Sequence, residues 1–292
     1  MKGKSDPLDQ IDINRQFADA GSCARVRVLD QCDSTNAVLG REAVGSANGL
    51  IVAAEVQTNG RGRRGRTWIA PPGGSLAFSM LWHFNRDAAA LSGLSLAAGV
   101  SVVSALKKSG GLRLALKWPN DIWSAGAKLG GILTETRIGA NGGDPITAII
   151  GVGLNLKMNH DDHRAVAATG VAYPVTDLAA ICEIVPGRNE LLARIATELA
   201  CDLACFDRDG FAAFQARWNG MHALQDKWVT VLAADGQASE AKVIGAANDG
   251  ALIVEVAGER RHLHGGEVSL RPQAGAAPGR PADLSRIAGS RA

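Results

Sequence analysis

The sequence has no disulfide framework. Its five cysteines, Cys23, Cys32, Cys182, Cys201 and Cys205, form an odd and scattered set, whereas stapled secreted domains carry paired cysteines at short spacings. Cys201 and Cys205 fall one helical turn apart. A metal pair would use that spacing, but two small apolar side chains on a buried helix face is the simpler reading. The N-terminus, MKGKSDPLDQIDINRQ, lacks the apolar core of a secretory signal, and no run approaches the roughly 18 apolar residues of a membrane span. An excess of one charge is also missing: 31 Lys+Arg against 29 Asp+Glu leaves a net charge of +2. That balance argues against nucleic-acid binding through the whole surface, so any basic function has to be local. No internal repeat is found. The absences point to a reducing cytoplasm and no membrane partner.

What the chain does have is apolar content, 46% of 292 residues, enough for a large domain and a small one. RVRVLD (25–30) alternates as a strand. Asp33, Ser34 or Thr35 can cap a helix running to Ala43. LIVAAEVQ (50–57) is a continuous apolar run, the pattern of a strand buried on both faces. SLAFSMLWHF (75–84), LRLALKW (112–118) and ITAIIGVGLNL (146–156) read as further strands, and DIWSAGAKLGGILTET (121–136) as a hairpin turning near Ala125-Gly126. Residues 88–108 and 176–218 have helical spacing. From Lys227 short alternating runs separated by DG, NDG and GG turns predict a small all-β barrel. The division expected is a short N-terminal extension (1–24), a catalytic domain (25–222), a small barrel (223–272) and a disordered tail rich in Ala, Gly, Pro and Arg (273–292).

Three segments carry candidate chemistry. In TNGRGRRGRTW (58–68), Gly60, Gly62 and Gly65 allow close backbone approach and positive φ. Arg61, Arg63, Arg64 and Arg66 offer forked donors for phosphate or carboxylate. The same glycines satisfy G-x-G-x-x-G, but a dinucleotide fingerprint must open a helix, and TWIAPPGG (67–74) cannot. An exposed arginine–glycine segment binding RNA is the other rival. KWPND (117–121) and KLGGILTE (128–135) taken singly are an ordinary turn and a glycine-kinked hairpin. Together, the arginines, Lys117, Lys128 and the glycine-permitted approach make a site for crowded negative charge, the problem posed by a carboxylate reacting with a triphosphate. His160, Asp161, Asp162 and His163 are read as a solvated connector rather than a metal site.

The ordered motifs DSTN, EVQTNGRGRRGRTW, KWPND, KLGGILTE and GVGLNL resemble the bacterial biotin protein ligases from about Leu29 to Leu156, more weakly through RWNGMHAL and GEVSLR. The resemblance implies an α/β fold, a mixed sheet with flanking helices like class II aminoacyl-tRNA synthetases, followed by a small SH3-like β-barrel. It implies biotin binding by Ser34, Thr35, Asn36, Gln57, Arg61, Gly62, Arg63, Lys128, Gly130 and Gly131. It implies nucleotide binding by Arg63, Trp68, Lys117, Asn120, Asp121 and Asn155, with Lys128, Arg63, Lys117 and Asp121 catalytic. ATP and biotin are the expected substrates, Mg²⁺ is expected with the ATP, and no protein metal ligand is assigned. The expected partner is the biotin carboxyl carrier protein of acetyl-CoA carboxylase or a similar carboxylase; a homodimer is allowed. Many members add an N-terminal DNA-binding domain. Only residues 1–32 precede Asp33, so specific DNA binding is not expected. A lipoate protein ligase is the nearest alternative.

Overall fold

The computed structural model describes residues 6–43, 45–108, 112–138, 145–169, 171, 173–233, 237–265 and 268–272; the expected tail, 273–292, lies outside them. Its larger sheet contains β1 (Arg25–Cys32), β2 (Leu50–Gln57), β3 (Ser75–Phe84), β4 (Ala115–Lys117), β5 (Asp121–Ser124), β6 (Ala127–Arg137) and β7 (Ile146–Asn155). The order is β1-β2-β3-β7-β6-β5-β4. β1 and β2 run parallel, in register from Arg25 opposite Leu50 to Cys32 opposite Gln57, and every other pair is antiparallel. The sheet is therefore mixed. The parallel pair requires a crossover, supplied by α2 (Thr35–Glu42).

Both faces are covered, which is why β3 reads as an almost unbroken apolar run. On one face α2 seats Val38, Leu39 and Ala43 against Val52, Leu81 and Ile149. The other face carries α3 (Leu94–Lys107) and the long α5 (Arg188–Asp209), followed by α6 (Ala212–Asn219). α3 is apolar all round and nearly every residue is buried. The stretch Ala88–Lys107 is long and apolar enough, with a mean hydropathy of 1.8, to cross a bilayer by composition alone, contrary to the sequence reading. Here it is core. A 3-10 turn at Ala88–Leu91 is separated from α3 by Gly93, whose φ of +81° breaks the helix.

Within the expected N-terminal extension the described residues include α1 (Gln10–Asp19). Asp9 caps it, and Ile13 and Phe17 are buried one turn apart. α1 closes the free edge of β1 with side chains: Asn14 donates to Val26 O at 3.0 Å and accepts from Val26 N at 2.9 Å, while Gln10 accepts from Val28 N at 3.1 Å. The segment before it is tied to α5. Arg188 donates to Glu55 Oε2 on β2 at 2.6 Å and to Asp6 O at 3.0 Å, and the Asp6 carboxylate accepts from Arg188 N at 2.7 Å.

The smaller sheet holds β8 (Trp228–Ala233), β9 (Ala238–Ala246), β10 (Leu252–Val256), β11 (Glu259–Leu263) and β12 (Val268–Pro272), all antiparallel in the order β11-β10-β9-β8-β12. One apolar core spans both sheets and includes Trp118, Val229, Leu252 and Leu270. Trp118 Nε1 donates to Gly250 O at 3.1 Å and Ser92 Oγ to Asp249 O at 2.6 Å, locking the turn before β10 onto the larger unit.

Three other expectations are corrected. Residues 176–187 are not a regular helix apart from a turn at Leu178–Ala180. Residues 160–163 begin α4 (His160–Ala168), where Asn159 and Asp162 exchange capping bonds at 2.9 Å each. α4 buries no residue, so it has no apolar period to reveal it. Cys201 is exposed and Cys205 half-buried, so they are not a buried pair.

Candidate functional site

One cleft is lined by Ser34, Thr35, Asn36, Gln57, Arg61, Gly62, Arg63, Trp68, Lys117, Asn120, Asp121, Lys128, Gly131 and Asn155. Of the residues that the resemblance assigned to biotin or nucleotide binding, Gly130 alone does not line it. A Cβ there would lie 2.5 Å from Gly153 O and 2.6 Å from the Leu154 side chain, so its glycine serves the packing of β6 on β7.

The closed end of the cleft is a hydrogen-bonded chain of hydroxyl and amide groups that ends on a carboxylate. Thr35 N donates to Gln57 Oε1 at 2.9 Å. Thr35 Oγ1 meets Ser79 Oγ at 2.7 Å, Ser79 Oγ donates to Asn36 Oδ1 at 2.5 Å, and Asn36 Nδ2 donates to Glu135 Oε2 at 2.7 Å. Ser34, Thr35, Asn36 and Ser79 are all buried. The glycines of GVGLNL explain how α2 and the loop come so close. Gly151 and Gly153 share one face of β7. A Cβ on Gly151 would lie 2.3 Å from Asn36 Oδ1, and one on Gly153 2.6 Å from Trp68 Cε2.

The arginine–glycine segment folds as a short hairpin over this end. Arg61 pairs with Thr67, Trp68 N donates to Gly60 O at 2.9 Å and Gly62 N to Arg66 O at 2.7 Å. Arg64 and Gly65 take φ of 57° and 70° at the tip. Gly60 is required for another reason: a Cβ would lie 2.3 Å from Trp68 O. No α-helix follows the loop, only a three-residue 3-10 turn at Arg63–Gly65, which removes the dinucleotide reading. Two of the arginines are engaged by the protein itself. Arg61 bonds Glu135 Oε2 at 2.9 Å and Arg63 bonds Asn120 Oδ1 at 3.4 Å.

The open end is cationic. Lys128 Nζ lies 2.5 Å from Asp121 Oδ1 and 6.0 Å from the centre of the Trp68 ring. Lys117 is buried, with its ammonium 4.3 Å from the ring centre of Tyr173 and 5.5 Å from that of Trp123. Burial pushes Lys117 down to about 8; Asp121 opposes that fall, and Lys128, Arg271 and Arg66 add to it. Arg63 is also lowered, first by burial and then by Arg64. Asn120 anchors the turn by donating to Ile132 O at 2.7 Å, and Asn155 donates to Thr176 O at 3.0 Å.

Sequence reasoning missed several residues. Ser79 and Glu135 belong to the polar chain. Tyr173, the sole tyrosine, and Arg271, whose guanidinium lies 5.3 Å from the Tyr173 ring centre, bring β12 to the cationic end. His222, stacked on Trp218 at 4.3 Å, is pushed down to about 3 by burial and then by Lys117 and Lys227. The motif GEVSLR contained Arg271, but nothing in its local pattern places it beside Lys117.

Residues 28–155 match the Biotin/lipoate A/B protein ligase family, and residues 226–271 match the Biotin protein ligase C terminal domain. The bifunctional ligase/repressor BirA of Escherichia coli K12 is 33% identical over 253 residues, covering 87% of this chain and 75% of that protein. A biotin–[acetyl-CoA-carboxylase] ligase of Paracoccus denitrificans is 30% identical over 244 residues, covering 82% of this chain and 98% of its own. The biotin protein ligase from Aquifex aeolicus, solved in complex with biotin and ATP, superposes with a TM-score of 0.69 at 25% identity, covering 85% of this chain and 99% of that one.

Proposed function

The chain belongs to the biotin protein ligases, within the biotin/lipoate A/B protein ligase family, and from that premise we propose that it activates biotin with ATP as biotinyl-5'-AMP and transfers the biotinyl group to a lysine of a biotin carboxyl carrier protein. The observation that carries this reading is the polarity of the cleft, hydroxyl and amide groups hydrogen-bonded at one end, lysine ammonium groups at the other. A cyclic urea fits the first and a carboxylate meeting a triphosphate fits the second. A dithiolane ring has no N–H or C=O, so lipoate would leave the remaining polar capacity there, above all the Gln57 amide nitrogen, unmatched, at a cost of about 1–3 kcal/mol per buried group. That disfavours the lipoate ligase.

In this reading residues 25–222 are the catalytic unit, and residues 223–272 a C-terminal unit that adds Leu270 and Arg271 to the site. Ser34, Thr35, Asn36 and Gln57 hold the ureido head, with the Arg61–Arg63 hairpin and Gly131 closing over it. In the first step a biotin carboxylate oxygen attacks the α-phosphorus and pyrophosphate leaves. Lys128, Arg63 and Lys117 face the phosphoryl oxygens, where fixed cations stabilise developing charge without reorganisation. Trp68, Asn120 and Asn155 border the nucleotide. In the second step the carrier lysine attacks the carbonyl carbon and AMP leaves. Asp121 is placed to take the amine proton once Lys128 has turned from it to phosphate. Cations nearby favour the neutral, nucleophilic lysine.

No group of three or more His, Cys, Asp or Glu side chains suited to a metal occurs among the described residues. Mg²⁺ would enter as part of the substrate, metal-bound ATP. The described residues ahead of β1 form α1 and its strap on α5, and no step requires DNA or a second copy. The test is transfer of labelled biotin, with ATP, to a carboxylase carrier domain, beside a lipoyl acceptor with lipoate. Labelled carrier and unlabelled lipoyl acceptor are expected; the reverse would overturn the reading.

A further inference from the structure

Glu135 lies outside the lining of the cleft, yet a single oxygen of its carboxylate joins two parts of the site. Oε2 accepts from Asn36 Nδ2 at 2.7 Å and from Arg61 Nη2 at 2.9 Å. The first donor lies at the buried closed end, the second on the hairpin above it. We propose that Glu135 is a positioning residue that both latches the arginine–glycine hairpin and fixes the donor–acceptor pattern presented to the substrate's head group. The proposal rests on the cleft being the biotin site.

The pattern follows from counting protons. A carboxylate only accepts, so Asn36 must turn its amide nitrogen to Glu135 and its oxygen to Ser79. Ser79 then gives its one proton to Asn36 Oδ1, the 2.5 Å contact. The 2.7 Å contact between the two hydroxyls then takes its proton from Thr35, in preference to the longer 3.3 Å approach of Thr35 Oγ1 to Gln57 Oε1. Thr35 Oγ1 is left with lone pairs only. Gln57 Oε1 is occupied by Thr35 N at 2.9 Å, and Gln57 Nε2 has no partner among the described residues. The closed end thus offers one acceptor, Thr35 Oγ1, beside one donor, Gln57 Nε2, the complement of a urea N–H beside its C=O. Asn36 Nδ2 also donates to Leu133 O, but at 3.4 Å, so replacing the carboxylate with an amide relaxes the constraint. A glutamine can present N–H or C=O to Asn36, and the chain of bonds can run either way. The same change discharges the partner of Arg61, freeing a hairpin whose tip already sits at positive φ.

The test uses the full chain and Glu135→Gln, which keeps the shape. Glu135 is on the half-exposed part of β6, so cooperative unfolding should be retained, and a melting curve checks it. The KM for biotin in pyrophosphate exchange should rise about tenfold, the scale of a lost charged hydrogen bond, while the KM for ATP should move less than about twofold. Tryptic cleavage within 61–66 of the free protein should be several-fold faster. Arg61→Gln should accelerate cleavage after Arg63, Arg64 and Arg66 equally, and the double variant no further, because both act through one contact. Unchanged biotin KM and unchanged cleavage in a folded Glu135→Gln protein would overturn the proposal. So would equal rises in both KM values, which indicate general damage. If the wild type fails to activate biotin, the reading of the site fails; the cleavage rates, which need no substrate, still decide whether Glu135 holds the hairpin.

Discussion

Replacing Lys117 with methionine should make the free protein more stable while impairing the enzyme. The ammonium is buried, and the contacts described for it are two aromatic faces rather than a bonded carboxylate. Its fall from 10.5 to about 8 corresponds to roughly 3 kcal/mol of destabilisation of the charged form. The cation–π contacts that methionine would lose return about 1–2 kcal/mol. The net gain at pH 7 is therefore about 1–2 kcal/mol, or about 2–8 °C in Tm for a chain of this size. The pH dependence has a definite sign. Below about 8 both folded and unfolded chains hold the proton and the cost is fully present. Between about 8 and 10.5 the unfolded chain holds more protons, so wild-type stability rises with pH relative to the variant. Thermal unfolding of both proteins at pH 7 and pH 10 should show the gain at the first and its loss at the second. Calorimetric titration should show ATP affinity reduced about tenfold or more in the variant, consistent with loss of a charged contact to phosphate. A variant less stable at pH 7, or a gain that persists unchanged at pH 10, would refute the account of Lys117 as a strained cation awaiting an anion.

Three further outcomes are expected. Lys128→Ala should lower biotin-dependent pyrophosphate exchange by about 10²–10³-fold while unfolding remains cooperative; near wild-type exchange would remove Lys128 from the phosphoryl site. Arg63→Gly should loosen the hairpin and release the mixed anhydride, so incubation with biotin, ATP and an unrelated protein should label that protein; labelling confined to the carrier with normal adenylation would show that Arg63 does not retain the intermediate. Glu55→Ala should cost roughly 3 kcal/mol in urea unfolding, because it strands the buried Arg188 guanidinium; a loss below about 1 kcal/mol would mean that Asp6 alone satisfies the arginine.

The parts of the molecule that could be read from the sequence are those set by local periodicity. LIVAAEVQ became β2 and SLAFSMLWHF became β3 because a strand covered on both faces needs no polar side. The NDG turn marked the boundary between β9 and β10; the DG turn lies outside the described residues. The boundaries that failed are where composition and geometry part: 176–187 is apolar enough for a helix but turns back at Asp177, whose carboxylate accepts from Met158 N and Ala180 N at 2.9 Å each. α1 carried signals that a polar average hid, an Asp9 cap and Ile13 and Phe17 one turn apart. The site divides in the same way. Residues in contiguous motifs were found, whereas Glu135, Tyr173 and Arg271 meet Asn36 and Lys117 only through strand order and the docking of the second sheet, information that no short window contains. GVGLNL shows the limit well. Asn155 was picked out, but the motif's glycines matter equally, as clearance for Asn36 and Trp68.

The amide of Asn14 has a consequence for assembly. A sheet recruits further chains by offering main-chain groups at a bare border. At one border of the larger sheet, Asn14 occupies both main-chain groups of Val26 and Gln10 takes the N–H of Val28. At the other, β4 is three residues long, and Leu116 exchanges bonds of 2.7 and 2.8 Å with Met221 and Ala223. The chain thus mimics a neighbouring strand at both ends of its own sheet, with side-chain amides at one and a post-helical turn at the other. A carrier domain or a second copy would find both main-chain groups of Val26, the N–H of Val28 and both groups of Leu116 already bonded. Asn14→Leu would vacate the Val26 groups, and concentration-dependent self-association appearing only in that variant would mark the amide as a guard against templated growth.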